Sequence, residues 1–380
     1  MTAVTVPAHH RPELGAGVRI SEPLLHGPDV VHLIKNTDSG QAYKVGTKEH
    51  FLISRMDGTR SIEEIGAEYA AHFGRRLADA NWQPLLASLG ARGLLKGAPA
   101  PTVPSQPQPQ PQPPPQPPHP PARGLLRGTI RLVADADATT AALHRVVRPL
   151  LSPWALAPLL ALTAVMEVLL LLRLPELIDA TAGLFTEPAL LTAVATLLWL
   201  STALHELAHG VVARHHGGHV AEIGLRWRLP VVMMYCTVDD FLHLPGRRAR
   251  LATAGAGAVM NLLFLLPFFA VWSLAPLDAA TDGALGALLL LGSVQAFTML
   301  VPLPPLDGYK MASQLLGATG LAASTAAFLR LTARRDPAAA GYPSRARRAY
   351  ATYALLAVLT LSALAAALAL LVHRLLTAAP

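Results

Sequence analysis

"LSTALHELAHGVV", Leu200 to Val212, is apolar enough to lie inside a bilayer, yet it sets two histidines and a glutamate within five residues. An isolated charge at that depth costs about 2.5–3.5 kcal/mol on insertion scales, so ionisable groups there are rare and usually functional. His205 and His209 are four apart, so on a helix they share a face and both reach one metal ion. Glu206 stands beside them, suited to polarising a water rather than to ligation. This is the H-E-x-x-H arrangement of zinc hydrolases. The competing reading is a pair of core histidines bonded to backbone carbonyls. It leaves more polar groups seeking partners in a medium that offers none.

The rest of the chain sets the context. Its 380 residues are 52% hydrophobic and only 14% charged, which excludes a disordered protein and points to a membrane protein with a soluble part. The net charge of +7 comes largely from arginines beside apolar runs. That pattern fits juxtamembrane loops better than a nucleic-acid face, so no nucleic acid is expected as a partner. Cys236 is the only cysteine, which rules out an internal disulfide. The opening "MTAVTVPAHHRPELG" has no apolar h-region, so no signal peptide is expected and the N-terminus is expected in the cytoplasm.

Five apolar stretches approach the ~20 residues that cross a bilayer. They are Trp154–Leu172, Ala189–Ala213, Leu251–Leu274, Ala284–Val301 and Tyr350–Val372. Arg145 and Arg148 precede the first, and Arg214, Arg226, Arg228, Arg247, Arg248 and Arg250 follow the second. The loop after the first has only Arg173 against Glu176, Asp179 and Glu187, and the loop after the third has Asp278 and Asp282 and no basic residue. This alternation predicts a multi-pass protein of the cell membrane, with its N-terminus inside and its C-terminus outside. The fold expected is a polytopic α-helical membrane protein of about five transmembrane helices, preceded by a small N-terminal α+β domain.

Residues 1–17 read as a flexible N-terminus and 18–96 as that small domain. In it, Asp57-Gly58 marks a turn, and Ser61 with Glu64 forms a capping-box signature for a helix from Ile62. A second helix, "ANWQPLLASLGARGLL", closes the unit. Size and element order suit either a structural cap or a winged-helix-like module that binds peptides. Residues 97–123 are a Pro/Gln-rich linker that cannot pack as helix or sheet and can act as an extended spacer in polyproline II form. The segment "LLRGTIRLVADADATTAALHRVVRPLLS" that follows reads as an amphipathic, interfacial lead-in to the 124–380 region. "RWRLPVVMMYCTVDDFLHLP", between the second and third spans, alternates enough for a strand pair or serves as a plain loop.

A catalytic zinc ion (Zn2+) needs a third protein ligand and an open place for water. His215 lies six residues after His209, the spacing of metzincins, but Val212 stands where that motif needs a glycine to turn the chain. On an unbroken helix six residues rotate the side chain by about 240°. Asp307 is the better candidate. "VPLPPLDGYK" breaks the end of the fourth span with three prolines, and nonhelical backbone at such depth is tolerated where it is buried or lines a cavity. Asp239 and Asp240 are rivals better suited to a turn or cap. Glu167 is a lone carboxylate in the first span, expected to snorkel or to pair within the bundle.

"HELAH" followed by "PPLDG" at a later span resembles the site-2 protease family of intramembrane zinc metalloproteases, over roughly Gly124 to the C-terminus. The resemblance implies a site-2 protease-like core with His205, His209 and Asp307 as zinc ligands and Glu206 as catalytic base. "AGAGAVMN" is similar to the family's Gly-Pro-x-x-Asn segment, with Ala258 in place of proline and Asn261 kept. That implies substrate or oxyanion contact for Asn261, which as a bare residue equally suits a helix–helix hydrogen bond. Met299 departs from the asparagine found there in many members. "FLISRMDGTRSIEEI…LLASLGARGLL" resembles the PqqD-like domains, which bind leader peptides of ribosomally made, modified peptides. Together these imply a zinc metalloendopeptidase acting on a peptide or protein substrate, a precursor whose leader the N-terminal domain captures. Two alternatives stay open: cleavage of a membrane-anchored regulator, and a non-catalytic membrane component of an export or immunity system. The sequence leaves the oligomeric state open.

Overall fold

The computed structural model describes residues 7, 9–96, 126–229, 231–239 and 241–377; the whole of the 97–123 linker falls outside them. The N-terminal elements are β1 (Val18–Ile20), β2 (Leu24–His26), β3 (Asp29–Asn36), β4 (Ala42–Gly46), α1 (Thr47–Ile53), α2 (Ile62–Phe73) and α3 (Asp79–Ala91). β3 is the spine of this sheet. β1 and β2 pair with its two halves on one side and β4 runs along the other, all antiparallel. Ile34 of β3 is fully buried against Ile53, Met56, Ile65 and Leu94. Burying each such side chain contributes about 1.5–3 kcal/mol.

α2 shows how local sequence sets an element. Ser61 Oγ accepts from the Glu64 N–H at 3.2 Å, and a Glu64 carboxylate oxygen accepts from the Ser61 N–H at 2.7 Å. Ile62, Ile65 and Tyr69 then recur on one face and are buried. Asp57 Oδ1 accepts from the Thr59 N–H at 2.9 Å, which makes the turn before it. Within the stretch expected to be flexible, Glu13 and Leu14 form bridges with Asp57 and Leu95.

The second series is β5 (Arg127–Arg131), α4 (Ala136–Val147), α5 (Pro153–Leu172), α6 (Leu174–Leu184), α7 (Pro188–His215), β6 (His219–Arg228), β7 (Val231–Asp239), α8 (Gly246–Leu274), α9 (Ala279–Met299) and α10 (Asp307–Leu316). α11 (Leu321–Ala333) and α12 (Ser344–Thr377) complete the chain. Five of these helices, α5, α7, α8, α9 and α12, are long and apolar enough to cross a membrane, each with at least 20 residues. At 1.5 Å per residue that is about 30 Å, the thickness of a hydrocarbon core. Their outer faces are leucine-rich and bare: Leu172 is 74% exposed and Leu370 66%. Surface of that kind in quantity demands an apolar surrounding.

Inside the bundle, Met166 and Leu170 of α5, Leu177 of α6, Leu265 of α8 and Leu288 of α9 form one buried cluster. α6 occupies what reads in the sequence as a connecting loop, and Leu177 and Leu184 bury its apolar side. The fourth span ends at Met299 rather than Val301, because Pro302, Pro304 and Pro305 cannot continue the helix.

The stretch between the second and third spans does form a strand pair, β6 with β7, antiparallel. It gains a third strand, β5, from the segment expected to be an interfacial lead-in; Gly128 lies opposite Trp227 and Ile130 opposite Leu225. The partners are almost a hundred residues apart, a pairing that local pattern does not carry. α4 closes over this sheet with Ala136 packed on Val220 and Ile223. Asp137 ties the joint, accepting from the Val220 N–H at 3.2 Å and from Arg214 at 2.9 Å. These bonds, with the Arg214 and His219 charges, outweigh burial and hold its carboxyl below the usual range.

The chain divides into two compact units, and the sequence does not announce the division. Gly317–Arg348 belongs with the N-terminal residues rather than with the helices on either side of it. The Leu25 N–H donates to the Gly317 carbonyl at 2.8 Å, and the Thr319 N–H to the Leu25 carbonyl at 2.9 Å. The Gly27 N–H adds a bond to Ser324 Oγ at 3.1 Å.

Candidate metal centre

α7 carries His205 and His209 one turn apart, facing α8 and the start of α10. His205 Nε2 lies 2.9 Å from Asp307 Oδ2, His209 Nε2 lies 3.0 Å from the same oxygen, and the two Nε2 atoms are 3.2 Å apart. All three residues are buried, with side-chain exposures between 4% and 8%. They are the only group of three or more such side chains among the described residues that could hold a metal ion.

The donors fit a zinc ion. Bond lengths near 2.1 Å to four tetrahedral ligands place the ligand atoms about 3.4 Å from one another. The observed separations are within half an ångström of that edge. The His209 Nδ1–H donates to the Thr253 carbonyl at 2.7 Å, which turns the Nε2 lone pair inward. Two imidazole nitrogens and a carboxylate oxygen meeting out of water call for a positive charge between them.

Two glycines allow this approach. Gly257 of α8 faces the His205 ring so closely that a Cβ there would stand only 2.4 Å from Cε1 and Nε2 and 2.6 Å from Cδ2. Gly308 follows Asp307, and a Cβ on it would strike the Leu300 carbonyl. α10 can therefore begin at Asp307 directly against the turn that ends α9.

Glu206, next to His205, is half-buried, and one of its oxygens accepts from the Cys236 N–H of β7 at 3.2 Å. The Trp199 indole N–H donates to the Val232 carbonyl at 3.1 Å, so β7 is fixed along α7 at two points. Gly210 leaves room for this approach, since a Cβ there would crowd Cys236 Sγ. Burial, then the Glu206 carboxylate, push the Cys236 thiol up to about 12. At neutral pH it is a protonated thiol and no nucleophile.

The remaining candidates lie elsewhere. His215 is the last residue of an unbroken α7, and its Nδ1 sits 3.2 Å from His144 Nε2. Asp239 ends β7 opposite His219 and is not in the cluster; Asp240 lies outside the described residues. Asn261, one turn beyond Gly257, is 2% exposed and accepts a 3.1 Å bond from Ser201 Oγ on α7. That is a helix–helix bond, while its Nδ2 is buried with no partner among the described residues. Glu167 accepts from Ser293 Oγ at 2.8 Å, joining α5 to α9.

Sequence reasoning missed Thr253, Gly257 and Lys310, whose ammonium lies 2.8 Å from Asp307 Oδ1. Thr253 acts through its backbone and leaves no residue-type signal. Gly257 lies inside the quoted "AGAGAVMN", and Lys310 is three residues after Asp307, the spacing of neighbours on a helix. Compared with family models, curated proteins and solved structures, the chain gives no match.

Proposed function

We propose that this chain is an intramembrane zinc metalloendopeptidase of the site-2 protease type, acting on a precursor peptide that its N-terminal, PqqD-like module captures. One observation carries the reading: His205 Nε2, His209 Nε2 and Asp307 Oδ2 converge within 3.2 Å, beside Glu206, with both histidines on α7, a helix of membrane-crossing length. Sequence resemblance supplies the family and the substrate class. The arginine bias of alternate loops supports a site in the cell membrane, with the N-terminal module and the metal on the cytoplasmic side.

A bound zinc ion supplies Lewis acidity toward a water and toward the scissile carbonyl. The chain's residues do the rest. His209, held by Thr253, and His205, packed on Gly257, fix two of the ligand directions. Glu206 takes a proton from the attacking water at its carboxylate and returns it to the leaving amine. The Cys236 N–H steadies that carboxylate between the two transfers. β7 is an outer strand of its sheet and runs beside Glu206.

The test is cleavage in liposomes of a short peptide encoded beside this chain, with mass spectrometry of the products. Hydrolysis is expected at one peptide bond, abolished by a membrane-permeant zinc chelator and restored by zinc. Cleavage indifferent to the chelator would overturn the reading.

A further inference from the structure

The two oxygens of Asp307 have different neighbours. Oδ2 faces both histidine Nε2 atoms, at 2.9 and 3.0 Å, while Oδ1 takes the Lys310 ammonium at 2.8 Å. The carboxylate is 6% exposed and the lysine 51%, so the ammonium reaches in from the open side of α10. Both residues lie in the first turn of that helix, whose start is pinned where Gly308 meets the Leu300 carbonyl.

The arrangement decides a coordination number. A carboxylate can bind a metal through one oxygen or two. With two imidazoles already present, a two-oxygen Asp307 gives four protein donors, the closed set of a structural site. A one-oxygen Asp307 gives three and leaves a place for water, the pattern of catalytic sites. We infer that Lys310 is a positioning residue that holds Asp307 to a single oxygen toward the metal and so keeps one coordination place open. The inference rests on the metal-site reading and deepens it. Lys310 touches neither metal nor substrate; it acts through Asp307, as outer partners of metal ligands do.

The test substitutes cobalt for zinc in the full-length chain and compares wild type, Lys310→Ala and Lys310→Arg. The visible absorption of four-coordinate cobalt is strong, and its position shifts when one donor is exchanged for another. Wild type and Lys310→Arg are expected to share an intense band. Lys310→Ala is expected to show a band of similar intensity but shifted position, because a second carboxylate oxygen replaces the water in a four-donor set, with kcat for peptide cleavage down about 10–100-fold, the usual loss for an outer-shell partner, and KM little changed. A Lys310→Ala spectrum identical to wild type would overturn the positioning role while leaving the metal site standing. Failure of the wild type to take up cobalt or zinc would overturn the metal site itself.

Discussion

Replacing Glu206 with glutamine is expected to lower peptide hydrolysis by about 10²–10⁴-fold, the usual contribution of a general base, while the metal stays bound. The substitution is nearly isosteric. The glutamine carbonyl oxygen can still accept from the Cys236 N–H that holds the carboxylate at 3.2 Å, so the joint between α7 and β7 survives. His205, His209 and Asp307 are untouched. What disappears is the proton acceptor proposed to stand next to the metal site. Single-turnover cleavage with metal content measured on the same preparation separates the two effects. Full activity in Glu206→Gln would mean that another group takes the proton.

The second large effect comes from a residue with no side chain. Gly257→Ala is expected to empty the metal site. The added methyl would overlap the His205 imidazole, and that ring cannot retreat without leaving Asp307, 2.9 Å away. Overpacking of this sort costs about 1–3 kcal/mol. Helix propensity works the other way, favouring alanine over glycine by about 0.8–1.0 kcal/mol, so a loss would be steric in origin. Gly255, two residues earlier on α8, is the control: a Cβ there would meet only Met311, at 3.6 Å, an ordinary contact. Gly257→Ala should lose zinc, by at least tenfold in affinity, and melt at lower temperature. Gly255→Ala should keep both properties. Equal behaviour of the two would contradict the close packing of α8 on His205.

The features legible in the sequence are those written in local spacing. Five apolar runs gave five long helices, because hydrophobic length is a local property. Ser61 and Glu64 marked the start of α2 through a contact three residues long. His205 and His209 were legible as a pair for the same reason. Asp307 came into view through its proline-rich surroundings, about a hundred residues later in the chain.

What stayed hidden depends on distant partners. β5 is a strand only because β6 lies beside it, and "RGTIR" alone reads as an arginine-bearing lead-in. α6 hides in a stretch whose acidic residues suggest a loop, since Leu177 and Leu184 earn their places by tertiary burial. The Leu25–Gly317 and Thr319–Leu25 bonds join segments nearly three hundred residues apart. They also alter the expected role of the N-terminal module. Removing residues 1–96 would strip Gly317–Arg348 of its partners as well as removing the module proposed to capture peptide.

Metal analysis of the purified chain bears most directly on whether His205, His209 and Asp307 hold a zinc ion. Wild-type protein, Asp307→Ala and His215→Ala are to be purified in parallel and their zinc measured by mass spectrometry. Wild type is expected to carry one zinc per chain and Asp307→Ala almost none. His215→Ala should match wild type, because His215 faces His144 at the far end of α7. Wild-type protein without metal, or zinc kept in Asp307→Ala and lost in His215→Ala, would contradict the site described.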